Sequence, residues 1–108
     1  MECKVNQEGQ YSIIVLSGEI DLHCSAAARK SILNELADSR PVLVDLSLVK
    51  YIDSSAIASL VEGFQMAKKT NLDFSLISVS DEAMQVLKLA RLDKVFNIFA
   101  SKDEAIKD

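Results

Sequence analysis

The sequence has little of what several common functional classes depend on. It contains one proline, three glycines, no tryptophan and a single histidine in 108 residues. Its longest uninterrupted apolar run is Ile13 to Leu16, far short of the roughly 20 residues that a membrane-spanning helix needs. The start, Met-Glu-Cys-Lys-Val, leads into polar sequence without the basic and apolar segments of a secretory signal. We therefore expect a cytoplasmic protein with no membrane insertion.

Positive charge and metal ligands are also scarce. Twelve lysines and arginines stand against sixteen aspartates and glutamates, so the formal net charge is −4 and attraction to nucleic acid is not expected. Cys3 and Cys24 form no CxxC pair, and with His23 as the sole histidine the chain lacks the ligands of a conventional structural metal site. There is no Walker loop and no GxGxxG motif, so we expect no cofactor, and any nucleotide must come from a partner.

What the chain does contain is a regular alternation of strand and helix signals. Apolar residues at Cys3–Val5 and Tyr11–Leu16, separated by a turn at Gly9, predict a β-hairpin. The pattern then predicts a helix over about 25–37, a strand over Val42–Leu46, a connection over 47–53 and a helix over about 54–70. After these it predicts a strand over Phe74–Val79, a helix capped by Ser80 and ending near Arg91, a strand over Val95–Phe99 and a short helix over 101–108. This order predicts one α/β domain with a mainly parallel sheet of four to five strands, an antiparallel N-terminal strand, a central strand at 42–46 and about four helices.

In an open parallel sheet, ligands gather beyond the carboxyl ends of the strands. That rule confines the search to residues 18–24, 47–55 and 78–81. The middle segment is the most informative, because Asp53-Ser54-Ser55 places two hydroxyls beside the unpaired N–H groups of a helix start, which favour an anion. A phosphate on Ser54 would add about −1.5 to −2 charges there. On spacing alone, the triplet is more typical of an ordinary helix cap, with Ser54 one candidate for the capping residue.

At this point the residues resemble a known family. The run from Val44 to Leu60, VDLSLVKYIDSSAIASL, resembles the signature region of the STAS family, whose bacterial single-domain members are anti-sigma factor antagonists. Residues Leu16–Asp21 are similar to the family's Gly-Glu-(Leu/Ile)-Asp segment, and Leu87–Phe96 to its late helix-to-strand passage. The three segments stand in the correct order and span nearly the whole chain, so the resemblance implies a STAS fold.

The resemblance also implies a partner switch, in which the protein is a binder and a substrate and not an enzyme. In the antagonist branch the dephosphorylated protein binds an anti-sigma factor that is also an ATP-dependent serine kinase. Phosphorylation of the serine after the aspartate breaks that complex, and a serine phosphatase restores it. By position, Ser54 is the phosphoacceptor, and Asp53 and Asp21 belong to the partner surface. We expect further partner contacts from the helix predicted over about 54–70, at Ser55, Ala56, Ser59, Glu62 and Gly63. We also expect the free protein to be a monomer.

One departure from the family pattern leaves the partner open. Ala56 stands where glycine is common, and its methyl group could block close backbone approach. Ala56, Ser59 and Gly63 fall at i, i+3 and i+7, a row of small residues that either admits a partner or packs against the same chain. Ala56 and this row favour an alternative from the same family, an accessory subunit that binds the ATPase of a lipid-transporting ABC system. Met66, on the side of Glu62, is a further interface candidate.

Enzymatic alternatives are weaker. Asp21, Asp45 and Asp53 could converge on Mg²⁺ as in a receiver domain, but the adjacent acidic pair that such pockets place after the first strand is absent. His23 lies close to Asp21 and Ser25 without the strand, elbow and helix of a hydrolase. We therefore expect neither a metal site nor catalysis.

Overall fold

The computed structural model describes residues 2–20 and 22–106, which form five strands and four helices. These elements are β1 (Glu2–Glu8), β2 (Tyr11–Ile20), α1 (Leu22–Ala37), β3 (Val42–Ile52), α2 (Ser54–Lys69), β4 (Phe74–Ile77), α3 (Asp81–Leu89), β5 (Asn97–Phe99) and α4 (Lys102–Ala105). The strands form one sheet in the order β1-β2-β3-β4-β5, in which β1 is antiparallel to β2 and the other pairs are parallel. The predicted fold class and the central place of β3 are confirmed.

The two faces of the sheet are covered unequally. Because the parallel strands follow one another in space as in sequence, crossovers of the usual hand all pass on the same side. Accordingly α1, α2 and α3 bury one face, where the core includes Ile14, Leu16, Val44, Leu46, Ile32, Leu60 and Leu87. The opposite face has a smaller cluster around Ile13 and Leu43, covered by Ala105 of α4. An exposed ion pair between Lys102 and Glu8, 3.0 Å apart, joins α4 to β1, and this bond raises the pKa of Lys102.

The prediction that residues 47–53 form a connection is wrong, because β3 continues through Ile52. Its second half pairs with the end of β2, from Ser17 opposite Leu48 to Ile20 opposite Ile52. Two register shifts in this stretch place extra residues in β3. Such bulges interrupt the alternation of buried and exposed side chains by which a strand is recognised. Only Asp53 is left to join the strand to α2.

Other boundaries differ from prediction by a few residues. Helix α1 begins at Leu22, three residues earlier than expected. Strand β4 ends at Ile77, β5 begins at Asn97, and α4 ends at Ala105. Ser80 caps α3 as predicted, with its hydroxyl oxygen accepting the Ala83 amide hydrogen at 3.2 Å. Within the described ranges no helix is long and apolar enough to cross a membrane.

Helices α1 and α2 lie side by side and run in the same direction. Near their starts, the Ser59 hydroxyl lies 3.4 Å from the Ser25 carbonyl oxygen. Farther along, Arg29 of α1 forms an ion pair with Glu62 of α2, and Gly63 faces Ile32. Residue numbers increase together along the contact, so both helices begin at the same end of the molecule. That end is also where the parallel strands β2 and β3 finish.

Candidate functional site

Asp53 is the residue that starts α2. Its backbone is extended, and its Oδ1 accepts the Ala56 amide hydrogen at 3.0 Å, which is the contact of a helix N-cap. Its own amide donates to the Ile20 carbonyl at 3.1 Å, and its carbonyl accepts from the Ile57 amide at 3.0 Å. The cap is therefore fixed to the end of β2 on one side and to the helix on the other. The alternative in which Ser54 caps the helix is wrong.

Ser54 is the first residue of α2 and is exposed. Its hydroxyl makes no hydrogen bond to any residue in the ranges 2–20 and 22–106, and the backbone amides of Ser54 and Ser55 have no partner there either. The aligned peptide dipoles of a helix place roughly +0.5 of a charge at such an end. The position thus offers an accessible nucleophilic oxygen beside groups that stabilise a negative charge.

Ser55, the next residue, is held quite differently. It is half-buried, and its hydroxyl donates to Asp53 Oδ1 at 2.6 Å. One turn later, the Ser59 hydroxyl donates to the Ser55 carbonyl at 3.1 Å. Two adjacent serines at the same helix start therefore differ in access and in bonding, although the sequence gives them the same side chain.

The row of small residues on α2 faces the interior of the domain. Ala56 is 3% exposed and Ser59 is 8% exposed, and Gly63 is buried. A Cβ atom at Gly63 would lie 2.6 Å from Ile32 Cγ2, closer than real Cβ contacts allow. Of the two alternatives for this row, packing within the same chain is the one that the structure shows, with Ser59 and Gly63 facing α1. The methyl group of Ala56 fills part of the core and does not change the surface around Ser54.

Two exposed apolar side chains on the strand that leads into Ser54 were not indicated by the sequence pattern. Leu48 and Tyr51, on the bulged half of β3, are 59% and 51% exposed. The sequence pattern predicts a connection here and gives these side chains no face, although an aromatic residue between apolar Val49 and Ile52 is a usable signal of a strand. Ala58, one helical turn after Ser54, is also exposed.

Glu62 lies farther along the same exposed side of α2. Its side chain is 45% exposed and forms the ion pair with Arg29 of α1. An exposed pair of this kind contributes only about 0 to 1 kcal/mol to stability, so Glu62 can exchange this partner for another at little cost. Met66, one turn later, is 38% exposed.

Asp21, expected on the partner surface, lies outside the described residues, and nothing in the structure bears on the His23 side chain. Asp45 accepts the Ser47 amide hydrogen at 2.9 Å, within its own strand. Among the side chains that the structure describes, no group of three or more His, Cys, Asp and Glu residues is placed to hold a metal ion.

Comparison with known proteins identifies the family. The family model of the STAS domain matches residues 2–105, and the chain belongs to the STAS family. It is 27% identical over 96 residues to the anti-sigma-F factor antagonist RsfB of Mycobacterium tuberculosis, an alignment that covers 88% of this chain and 78% of that protein. The resemblance seen in the motifs is thereby confirmed.

Solved structures agree on the fold. An anti-sigma factor antagonist from Mycobacterium paratuberculosis is 27% identical and superimposes with a TM-score of 0.84, over 96% of this chain and 89% of that one. The anti-sigma factor antagonist SpoIIAA of Bacillus, solved in unphosphorylated and phosphorylated forms, is 17% identical. Its unphosphorylated form has a TM-score of 0.84, covering 96% of this chain and 92% of that one, which shows a shared fold.

Proposed function

We propose that this protein is an anti-sigma factor antagonist. In its dephosphorylated form it binds an anti-sigma factor that is also a serine kinase, phosphorylation of Ser54 ends that association, and a serine phosphatase restores it. The similarity to RsfB over most of the chain supports this function. The observation that carries it is the exposed Ser54 hydroxyl, which directly follows Asp53 at the start of α2. In this function the protein is a binder and a substrate, not an enzyme, and acts in the cytoplasm.

The switch follows from the charge that a phosphate brings. Phosphorylation replaces a neutral hydroxyl with about −1.5 to −2 charges at pH 7. The amides of Ser54 and Ser55 and the dipole of α2 accommodate this charge, so the domain stays folded. A partner that had docked against the neutral hydroxyl would instead bury a charge that the helix start neutralises only in part, which costs several kcal/mol. Because about 1.4 kcal/mol changes affinity tenfold, one phosphate is enough to break the complex.

The partner surface is centred on Ser54. Asp53, Ser55 and Glu62 belong to it by their partial exposure, and we place Asp21 there on the family resemblance. Tyr51 and Ala58 are exposed and stand within four residues of Ser54 along the chain, so we include them in this surface. The buried residues Ala56, Ser59 and Gly63 contribute indirectly, because they pack α2 against the rest of the domain.

The proposal is tested by incubating the protein with ATP and an anti-sigma factor kinase of the source organism, then locating phosphate by mass spectrometry. We expect one phosphate, on Ser54, and none in the Ser54→Ala variant. If Ser54 stays unmodified while the protein copurifies with a transporter ATPase, the accessory subunit of a lipid-transporting ABC system is the better description. Because Ala56, Ser59 and Gly63 are buried, the row of small residues gives that alternative no exposed docking face.

A further inference from the structure

The Asp53 carboxylate contacts one of the two adjacent serines and leaves the other exposed. We propose that Asp53 selects the phosphoacceptor: by holding the hydroxyl of Ser55, it makes Ser54 the residue that receives phosphate. Asp53 is then a positioning residue that acts through Ser55. This inference rests on the proposed function, since it concerns the choice between two hydroxyls by the same kinase.

The geometry indicates a strong hydrogen bond between the Ser55 hydroxyl and the Asp53 carboxylate. The distance of 2.6 Å from Ser55 Oγ to Asp53 Oδ1 is typical of a hydroxyl donating to an ionised carboxylate. The same Oδ1 accepts the Ala56 amide hydrogen at 3.0 Å, so the carboxylate is oriented by two donors. The backbone of Asp53 is bonded to Ile20 and to Ile57, which limits its movement away from Ser55.

Phosphoryl transfer requires an accessible serine hydroxyl, and the contact with Asp53 makes the Ser55 hydroxyl less accessible. The serine oxygen must attack the γ-phosphorus of ATP and form a new O–P bond. At the same time the bond to the leaving ADP breaks, and the hydroxyl proton passes to a base of the kinase. The Ser55 hydroxyl would first have to leave Asp53 and emerge from its half-buried position. A phosphate formed there would lie against the Asp53 carboxylate and repel it from the Ala56 amide. Ser54 meets neither obstacle, because its hydroxyl is exposed and has no partner among the residues described.

The kinase test uses the Ser54→Ala variant as its background, in which Ser55 is the nearest remaining hydroxyl. We expect Ser55 to be phosphorylated at least about tenfold more slowly there than Ser54 is in the wild type. Adding Asp53→Gly removes the carboxylate but keeps a residue that is tolerated at an N-cap, and should raise the Ser55 rate at least about tenfold. Adding Asp53→Asn keeps an oxygen that accepts from the Ser55 hydroxyl and from the Ala56 amide. The rate of Ser55 phosphorylation should then stay closer to that of the Ser54→Ala variant than it does with Asp53→Gly. Phosphorylation of Ser55 at the wild-type Ser54 rate, as expected if Asp53 served Ser55 as a base, would overturn the proposal.

A second arm needs no kinase. Ser54→Cys and Ser55→Cys are each treated with iodoacetamide, and the modified residue is located by peptide mass spectrometry, with Cys3 and Cys24 as internal references. We expect the thiol at position 55 to react at least about tenfold more slowly than that at position 54, because the carboxylate disfavours the thiolate. Adding Asp53→Gly should narrow that difference more than adding Asp53→Asn does. Equal rates at the two positions would refute the selection by Asp53.

The two arms also separate this inference from the function on which it rests. If the wild type accepts no phosphate on Ser54 while the thiols differ as expected, the proposed function fails and the hold of Asp53 on Ser55 stands. If Ser54 is phosphorylated but the Asp53 variants leave Ser55 unchanged in both arms, the function stands and the selection by Asp53 is wrong.

Discussion

The carboxylate of Asp53 accepts the amide hydrogen of Ala56 at 3.0 Å, and through this bond Asp53 caps the helix whose first residue is Ser54. The cap and the proposed phosphoacceptor are therefore neighbouring residues with separate tasks. The Asp53 side chain caps the helix, and the exposed Ser54 hydroxyl has no partner among the residues that the structure describes.

This separation predicts different effects on stability for the two residues. Asp53→Ala should lower the free energy of unfolding by about 0.5 to 2 kcal/mol, because the helix loses its cap. Ser54→Ala should change it by no more than about 0.5 kcal/mol, since an exposed hydroxyl without a partner among the described residues is removed. Urea unfolding of both variants measures the difference. A loss in Ser54→Ala as large as that in Asp53→Ala would show that Ser54 supports the helix start.

A second prediction concerns the contact between α1 and α2. Gly63→Ala gains up to about 1 kcal/mol of helix propensity, but the added Cβ would lie 2.6 Å from Ile32 Cγ2 and 3.0 Å from Phe74 Cε2. Overpacking a core of this kind costs about 1 to 3 kcal/mol, so we expect a net destabilisation of about 1 kcal/mol. The measurement is again urea unfolding.

A matched control isolates the propensity term of that prediction. Ala58→Gly changes an exposed position of the same helix and should cost about 0.5 to 1 kcal/mol from propensity alone. If Gly63→Ala instead stabilises the protein by the amount that Ala58→Gly loses, the close packing of α2 against α1 is not as described.

Much of the fold was predictable from the sequence, for identifiable reasons. The apolar runs of β2 and the first half of β3, and the three- and four-residue spacing in α2, are regular enough to indicate each element. The second half of β3 was missed because its bulges break the alternation. The sequence does not decide which residue caps α2, because Asp53 and Ser54 are both good capping residues and only the backbone path distinguishes them.

The candidate site was predictable only in part. The motif indicates Ser54 as the proposed phosphoacceptor, but helical spacing shows which residues share a face and not what covers that face. Ala56, Ser59 and Gly63 were correctly grouped, while their contact with α1 became visible only from the packing. The hydroxyls of Ser54 and Ser55 are chemically alike in the sequence, and their different bonding depends on the position of one carboxylate oxygen.

A third prediction concerns a buried polar network at the end of the sheet away from Ser54. Ser12 is fully buried in β2, where its hydroxyl donates to Glu35 Oε1 at 2.6 Å and accepts from Arg40 Nε at 2.8 Å. Ser12→Ala removes both bonds and should lower the free energy of unfolding by about 1 to 3 kcal/mol. Thermal or urea unfolding checks this value, with exposed Ser47→Ala as a control expected to change little.

The same variant tests whether stability and switching are independent. Because the network joins α1 and the loop after it to the beginning of β2, Ser12→Ala should leave the rate of Ser54 phosphorylation unchanged at a temperature where the variant is fully folded. A large drop in that rate under these conditions would mean that the two ends of the domain are coupled.

The most direct test of the central claim is the affinity of the anti-sigma factor kinase for Ser54→Ala and Ser54→Asp, measured by isothermal titration with both variants shown to have the wild-type melting temperature. We predict that Ser54→Ala binds like the dephosphorylated wild type, and that Ser54→Asp binds at least about tenfold more weakly, since one buried negative charge costs at least about 1.4 kcal/mol. Equal affinity of the two variants would contradict the proposal that charge at residue 54 controls the association.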